Sequence, residues 1–92
     1  MTKEKQISYI KIEQGGLELE YNLGERKLTQ VNNVWSKGML NSIVVRNVTN
    51  LRIDKINNEW FNLEYYVNGV YTGLIGMFNN KDIKEVIYNE QW

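Results

Sequence analysis

The sequence predicts a mainly β, single-domain protein, with about six to seven antiparallel strands in a bent sheet or small barrel closed by one C-terminal amphipathic helix. Runs that alternate apolar and polar residues recur along the chain, and turn residues separate them. The apolar residues near the C-terminus are spaced as on a helix instead. A chain of 92 residues is too short to divide its core in two, so residues 1–92 are taken as one domain.

The first third of the chain predicts an antiparallel meander. Residues 7–13 form one strand run and residues 17–23 a second, with Gln14-Gly15-Gly16 as the turn between them. Gly24-Glu25-Arg26 then turns the chain into a third run, residues 27–32.

The middle of the chain is less regular. Residues 33–41 have no clean period and predict a loop or irregular edge that tucks Trp35 against an apolar surface. Residues 42–48 and 51–56 are rich in Val and Ile and predict two strands separated by Thr49-Asn50, or one long bent strand.

Residues 59–78 predict a β-hairpin, because Asn68-Gly69 is the strongest turn signal in the chain and a type I′ turn needs positive φ at both central positions. Without a bulge, the register places Leu63 opposite Leu74 and Trp60 opposite Met77. The predicted core face then carries Phe61, Leu63, Tyr65, Val67, Val70, Thr72, Leu74 and Phe78. The opposite face carries Trp60, Tyr66, Tyr71, Ile75 and Met77.

A helix of about ten residues is predicted after this hairpin, with Asn79 or Asn80 as its N-cap and Asp82 in its first turn. Its apolar stripe is spaced at i, i+3 and i+4 and needs a sheet to cover: Ile83, Val86 and Ile87.

This element order resembles the pleckstrin-homology-like superfold, a bent sheet sandwich with one end plugged by a helix. The final segment VYTGLIGMFNNKDIKEVIYN, residues 70–89, is similar to the last strand and helix of small bacterial members. Lipid-binding members carry basic residues in the first hairpin loop, and this chain has Gln14-Gly15-Gly16 there. The loop therefore argues against phosphoinositide binding. Many other members bind only proteins, and the fold by itself does not decide between these uses. A small OB-like or SH3-like barrel with an added helix is the alternative architecture.

The composition excludes several classes of function. Eleven basic residues balance eleven acidic ones, so no net field attracts the chain to nucleic acid or to an acidic membrane. Cysteine and histidine are absent, which removes thiolate catalysis, the usual general base and the usual metal ligands. We expect no enzyme activity, no metal and no cofactor. No apolar run is long enough for a signal peptide or a membrane span, which predicts a cytoplasmic protein without membrane contact.

The abundance of Asn, Ile, Lys and Tyr without any alanine or proline is typical of AT-rich genes, such as those of low-GC bacteria and their phages or plasmids. In size and composition the chain resembles small anti-defence and host-takeover inhibitors of phages. Trp, Tyr and Met are enriched at protein interfaces and their hot spots. The predicted function is therefore inhibition of a host protein by contact. The predicted partner-binding residues are Trp60, Tyr66, Tyr71, Ile75, Met77 and Trp35.

Three alternatives stay open. The chain's own C-terminal helix, or the loop around Trp35, could cover the aromatic face. A nucleic-acid or nucleotide binder could use that face together with scattered basic residues, which are Lys27, Lys37, Arg46, Arg52 and Lys55. A structural homo-oligomer or virion component could form through the same face, because a net charge of zero favours association.

Overall fold

A computed structural model describes the backbone of residues 4–34 and 39–89, with the side chains of residues 6–31 and 44–89. These residues form eight strands and one short 3₁₀ helix (Asn80–Asp82). The strands are β1 (Glu4–Gln14), β2 (Leu17–Gly24), β3 (Lys27–Val34), β4 (Met39–Arg46), β5 (Val48–Lys55), β6 (Trp60–Val67), β7 (Val70–Asn79) and β8 (Ile83–Tyr88). The prediction of a mainly β, antiparallel fold is confirmed. Trp35 and Lys37 lie outside the described residues.

All strand pairs are antiparallel, and the neighbours follow the order β4-β3-β2-β1-β5-β6-β7, with β8 paired to β1. The long strand β1 is shared among three partners: Glu4–Ile7 pair with β5, Tyr9–Gln14 with β2, and Ile7–Ile12 with β8. Ile7 pairs with both Leu51 of β5 and Tyr88 of β8, so these two strands lie on opposite edges of β1. Strand β1 therefore connects β2, β5 and β8 within one sheet.

The core lies on the concave side of this curled sheet and is built from the inward residues of six strands. The Phe78 ring centroid is 5.9 Å from that of Phe61 and 6.4 Å from that of Tyr21, which brings β7 over β2. Buried and less buried residues alternate along β2 from Leu19 to Asn22 and along β6 from Trp60 to Glu64. This alternation is the pattern of strands with one face covered. The buried apolar side chains are Ile7, Ile10, Ile12, Leu19, Tyr21, Leu28, Val48, Leu51, Ile53, Phe61, Leu63 and Phe78.

Two boundaries in the middle of the chain differ from the prediction. Strands β4 and β5 meet at Asn47, whose φ is 64°, rather than at Thr49-Asn50. The predicted loop over residues 33–41 is also too long, because β3 continues to Val34 and β4 begins at Met39. Asparagine tolerates the left-handed region better than most residues, so a single Asn is enough to separate two strands.

The predicted C-terminal helix is wrong. Asn79 does act as a cap, since its Oδ1 accepts a hydrogen bond from the Lys81 N–H at 3.0 Å, but it begins only the 3₁₀ helix. Ile83 is already extended, with φ of −71° and ψ of 123°, and begins β8. β-branched residues favour strands, and an isolated helix of about ten residues is marginal in water.

The helical spacing that suggested a helix comes from a β-bulge. Ile83 pairs with Ile12 and Val86 with Ile10, while Lys84 is an extra residue without a partner on β1. Two residues that are three positions apart therefore both pack against the core. Ile87, which the helix would have placed on the same stripe, is 50% exposed.

The turn between β2 and β3 holds Glu25 at a φ of 52° and Arg26 at 61°. Left-handed backbone costs an ordinary residue roughly 1–2 kcal/mol. Changing Glu25-Arg26 to Asn-Gly is therefore expected to raise the free energy of unfolding by about 1–2 kcal/mol, measured by urea denaturation.

Arg26→Ala is the control for this turn variant. The Arg26 Nη2 donates a long, exposed hydrogen bond of 3.3 Å to Asn68 Oδ1, and both the turn variant and the control lose it. Because exposed contacts of this kind contribute little, we expect the control to differ from wild type by under about 0.5 kcal/mol. Equal stability of wild type and the Asn-Gly variant would contradict strain at this turn.

Candidate functional site

The β6–β7 hairpin keeps the predicted register only next to its turn. The pairs Tyr66 with Tyr71 and Val67 with Val70 are as predicted. Further along, the register shifts twice, because Thr72 and Ile75 are each an extra residue on β7. The pairs beyond these bulges are Tyr65 with Gly73, Glu64 with Leu74, Leu63 with Gly76, Asn62 with Met77 and Phe61 with Phe78.

The two strand glycines explain how aromatic rings fit beside this bulged strand. A Cβ atom at Gly73 would lie 3.2 Å from Cε1 of Tyr65, and one at Gly76 would lie 3.1 Å from Cζ of Phe78. Both distances are tighter than ordinary van der Waals contact, so the glycines leave room for rings of the same chain. At the first bulge, Thr72 Oγ1 accepts from the Val67 N–H at 3.1 Å and donates to the Val70 carbonyl at 2.9 Å.

The bulges change which residues face the core. Leu74, predicted in the core, is 54% exposed. Thr72, the extra residue at the first bulge, is exposed as well. Val70 is also exposed, although it keeps its predicted pairing with Val67, so the predicted core positions of both residues are wrong. Ile75, predicted on the outer face, instead packs partly buried against the core. The predicted core positions of Phe61, Leu63 and Phe78 are confirmed.

Four large side chains form what we call the hairpin surface: Trp60, Tyr71, Leu74 and Met77. Their exposed fractions are 37%, 51%, 54% and 54%, in that order. Tyr71, Leu74 and Met77 pair with the successive outward residues Tyr66, Glu64 and Asn62 of β6, so they form one row along β7. Trp60 lies diagonally beside Met77. Among the described residues β7 pairs with β6 alone, and the predicted helix does not cover this row.

Tyr66 supports the row from one side. Its ring packs edge-to-face against Tyr71, with centroids 5.4 Å apart and planes at 74°. The Arg52 guanidinium carbon lies 4.6 Å from the Tyr66 ring centroid, and Arg52 Nη1 donates to the Tyr66 hydroxyl at 2.5 Å. These contacts orient Tyr66 and, through it, the exposed ring of Tyr71.

Of the basic residues considered for nucleic-acid binding, the four that the structure describes are not gathered on this surface. Arg52 is engaged with Tyr66, and Lys55 pairs with the buried Phe61 rather than with an outward residue of β6. Lys27 and Arg46 are cross-strand neighbours on β3 and β4.

Acidic side chains elsewhere on the sheet make internal contacts. Glu18 Oε1 is 3.6 Å from Lys11 Nζ, and Glu20 Oε1 accepts a hydrogen bond from the Tyr9 hydroxyl at 2.6 Å. Burial, followed by this hydrogen bond, raises the pKa of the Tyr9 phenol well above its usual value. Across residues 4–34 and 39–89, no three acidic side chains converge in a way that could hold a metal ion.

Searches against protein families, curated proteins and solved structures found no significant match to this chain. The resemblance to the pleckstrin-homology-like superfold therefore stays a prediction. Within the described part of the chain, no helix has the length and apolar character needed to cross a membrane.

Proposed function

We propose that this chain is a non-catalytic binding protein that holds a partner protein against the hairpin surface. The partner we propose is a host protein, bound by a small phage- or plasmid-encoded inhibitor. The observation that carries the proposal is the outward row of Tyr71, Leu74 and Met77 with Trp60 beside it, all more than a third exposed.

The composition of the hairpin surface supports protein binding. Tryptophan and tyrosine are the residues most enriched at interface hot spots, and methionine is enriched in interfaces generally. Asn62 and Glu64 lie beside the row and supply a polar rim. An apolar centre with a polar rim is the usual anatomy of a protein interface.

The contacts that orient Tyr71 favour tight binding. Ordering a side chain on association costs roughly 0.5–1.5 kcal/mol, and a side chain that is already oriented avoids part of this cost. The Tyr66 ring and the Arg52 guanidinium hold one side of Tyr71 in the free protein. The same contacts weaken the nucleic-acid alternative, because they engage both Tyr66 and the Arg52 guanidinium. A net charge of zero also gives no steering toward phosphates.

Affinity capture from a lysate of a low-GC bacterium tests the proposal. The test variant carries Trp60→Ala, Tyr71→Ala and Met77→Ala. The matched control carries Val44→Ala, Ile87→Ala and Tyr88→Ala, three similarly exposed residues on other strands. We expect wild type and control to capture the same protein, and the test variant to bind it at least about 30-fold more weakly, since a hot-spot residue contributes roughly 2 kcal/mol or more.

The outcomes of this capture are distinct. Equal capture by the test variant and the wild type would overturn the role of the hairpin surface. The apolar contact predicts a complex that persists in roughly 0.5 M salt, whereas binding to a nucleic-acid polymer weakens steeply with salt. A concentration-dependent mass that the test variant abolishes, with no captured protein, would favour the homo-oligomer instead.

A further inference from the structure

The tip of the β6–β7 hairpin carries a chemically reactive dipeptide. Asn68-Gly69 is the one place in the chain where glycine follows asparagine. Glycine has no side chain to hinder its backbone nitrogen, so this nitrogen can attack the side-chain carbonyl carbon of the preceding asparagine. Both residues are exposed to water.

Backbone and side-chain contacts hold this tip closed. The Gly69 N–H donates to Thr49 Oγ1 at 2.8 Å, and the Asn68 N–H donates to the Asn47 carbonyl at 3.2 Å. Asn68 has a φ of 51° and Gly69 a φ of 79°, the left-handed pair that a type I′ turn requires. The attacking nitrogen is therefore bound to Thr49 in the native turn.

We propose that Asn68 is a site of spontaneous deamidation and that the Thr49 hydroxyl controls its rate. The Gly69 nitrogen forms a bond to Cγ of Asn68, the Cγ–Nδ2 bond breaks, and ammonia leaves with the proton from the Gly69 N–H. Water then adds to one of the two carbonyls of the resulting cyclic imide. One opening yields aspartate at position 68, and the other yields isoaspartate, in which the chain passes through the side-chain carboxyl.

Ring closure requires the Gly69 nitrogen to leave Thr49 Oγ1 and turn toward Asn68 Cγ. The reaction therefore proceeds from a locally opened turn, and its rate follows the population of that opened state. Losing one neutral hydrogen bond raises that population about fivefold. Thr49→Val keeps the shape of the side chain and removes the acceptor for the Gly69 N–H, together with a longer hydrogen bond of 3.3 Å from the Thr49 hydroxyl to the Tyr66 carbonyl. The variant is expected to raise the deamidation rate of the folded protein by at least that factor.

Both products change the end of the hairpin that carries Tyr71. Aspartate at position 68 adds a negative charge beside the Arg26 guanidinium, whose Nη2 is 3.3 Å from Asn68 Oδ1. Isoaspartate adds a methylene to the main chain inside a two-residue turn, which breaks the pairing of Val67 with Val70. The proposal does not depend on what the hairpin surface binds.

The test incubates the full chain at about pH 8.5 and follows the mass gain of one dalton per deamidation by peptide mapping. We expect the first gain at Asn68, faster in urea than in the folded protein, and at least about fivefold faster in folded Thr49→Val than in folded wild type. Asn68→Asp is expected to abolish it.

The control for stability is Ile12→Val, a conservative change in the buried core far from the turn. If it accelerated deamidation as much as Thr49→Val does, global unfolding rather than Thr49 would set the rate, and the proposal would be overturned. Equal rates in folded Thr49→Val and wild type, or an earlier mass gain at another asparagine, would overturn it as well.

Discussion

Leu63→Ala is expected to lower the free energy of unfolding by about 2–5 kcal/mol, and Leu74→Ala by under about 1 kcal/mol. Leu63 is fully buried, so alanine leaves a cavity among packed side chains. Leu74 is 54% exposed, so alanine there removes little buried apolar surface and leaves no cavity. The same substitution is therefore expected to lower the free energy of unfolding much more on β6 than on β7.

Urea denaturation of the two variants with an unchanged m-value measures both losses. The comparison tests the bulges directly, because a hairpin without them would place Leu63 opposite Leu74 on the core face and make the two losses similar. Comparable destabilisation by the two substitutions would refute the register described here. Met77→Ala serves as a second exposed control, since Met77 is exposed to the same extent as Leu74.

Val86→Asp is expected to lower the free energy of unfolding by about 3 kcal/mol or more, and Ile87→Asp by under about 1 kcal/mol. Val86 packs against the core beside Ile10, so aspartate there places a charge in an apolar environment. Ile87 is 50% exposed on the other side of β8, where aspartate stays hydrated.

The two aspartate variants together test whether residues 83–88 form the strand β8 or an amphipathic helix. A helix with Ile83, Val86 and Ile87 on one covered stripe would make both aspartates costly, whereas β8 makes only one costly. Thermal unfolding followed by circular dichroism measures the difference, with Lys84→Asp as the control at the exposed bulge position. Similar destabilisation by Val86→Asp and Ile87→Asp would argue for the helix.

Much of the strand content could be predicted from the sequence because it depends on local chemistry. Asn68-Gly69 specifies a turn by its φ requirement, and the two residue pairs beside it follow from that geometry. The alternation in residues 17–23 likewise reflects one covered face, and the structure has β2 there with Leu19 and Tyr21 buried.

The wrong prediction of a C-terminal helix and the wrong core position of Leu74 share one physical cause. A β-bulge adds a residue to one strand, so side chains on the same face become three positions apart instead of two. Tyr71, Leu74 and Met77 show this spacing on β7, and Ile83 and Val86 show it on β8. The three-residue spacing on β8 resembles that of a helix, whereas a hairpin register without bulges puts Leu74 on the core face. None of these bulges, at Thr72, Ile75 and Lys84, has a local sequence signal stronger than the glycines of β7.

The shared strand β1 also bears on how the chain folds. Its pairing with β8 joins residues that are far apart in sequence, as the hydrogen bond of 3.4 Å from the Ser8 hydroxyl to the Ile87 carbonyl illustrates with a separation of 79 positions. Closing so long a loop requires much of the intervening chain to be ordered first, and folds dominated by such distant pairings form slowly. During synthesis, the edge of β1 at Ile7–Ile12 therefore has no partner until β8 has left the ribosome.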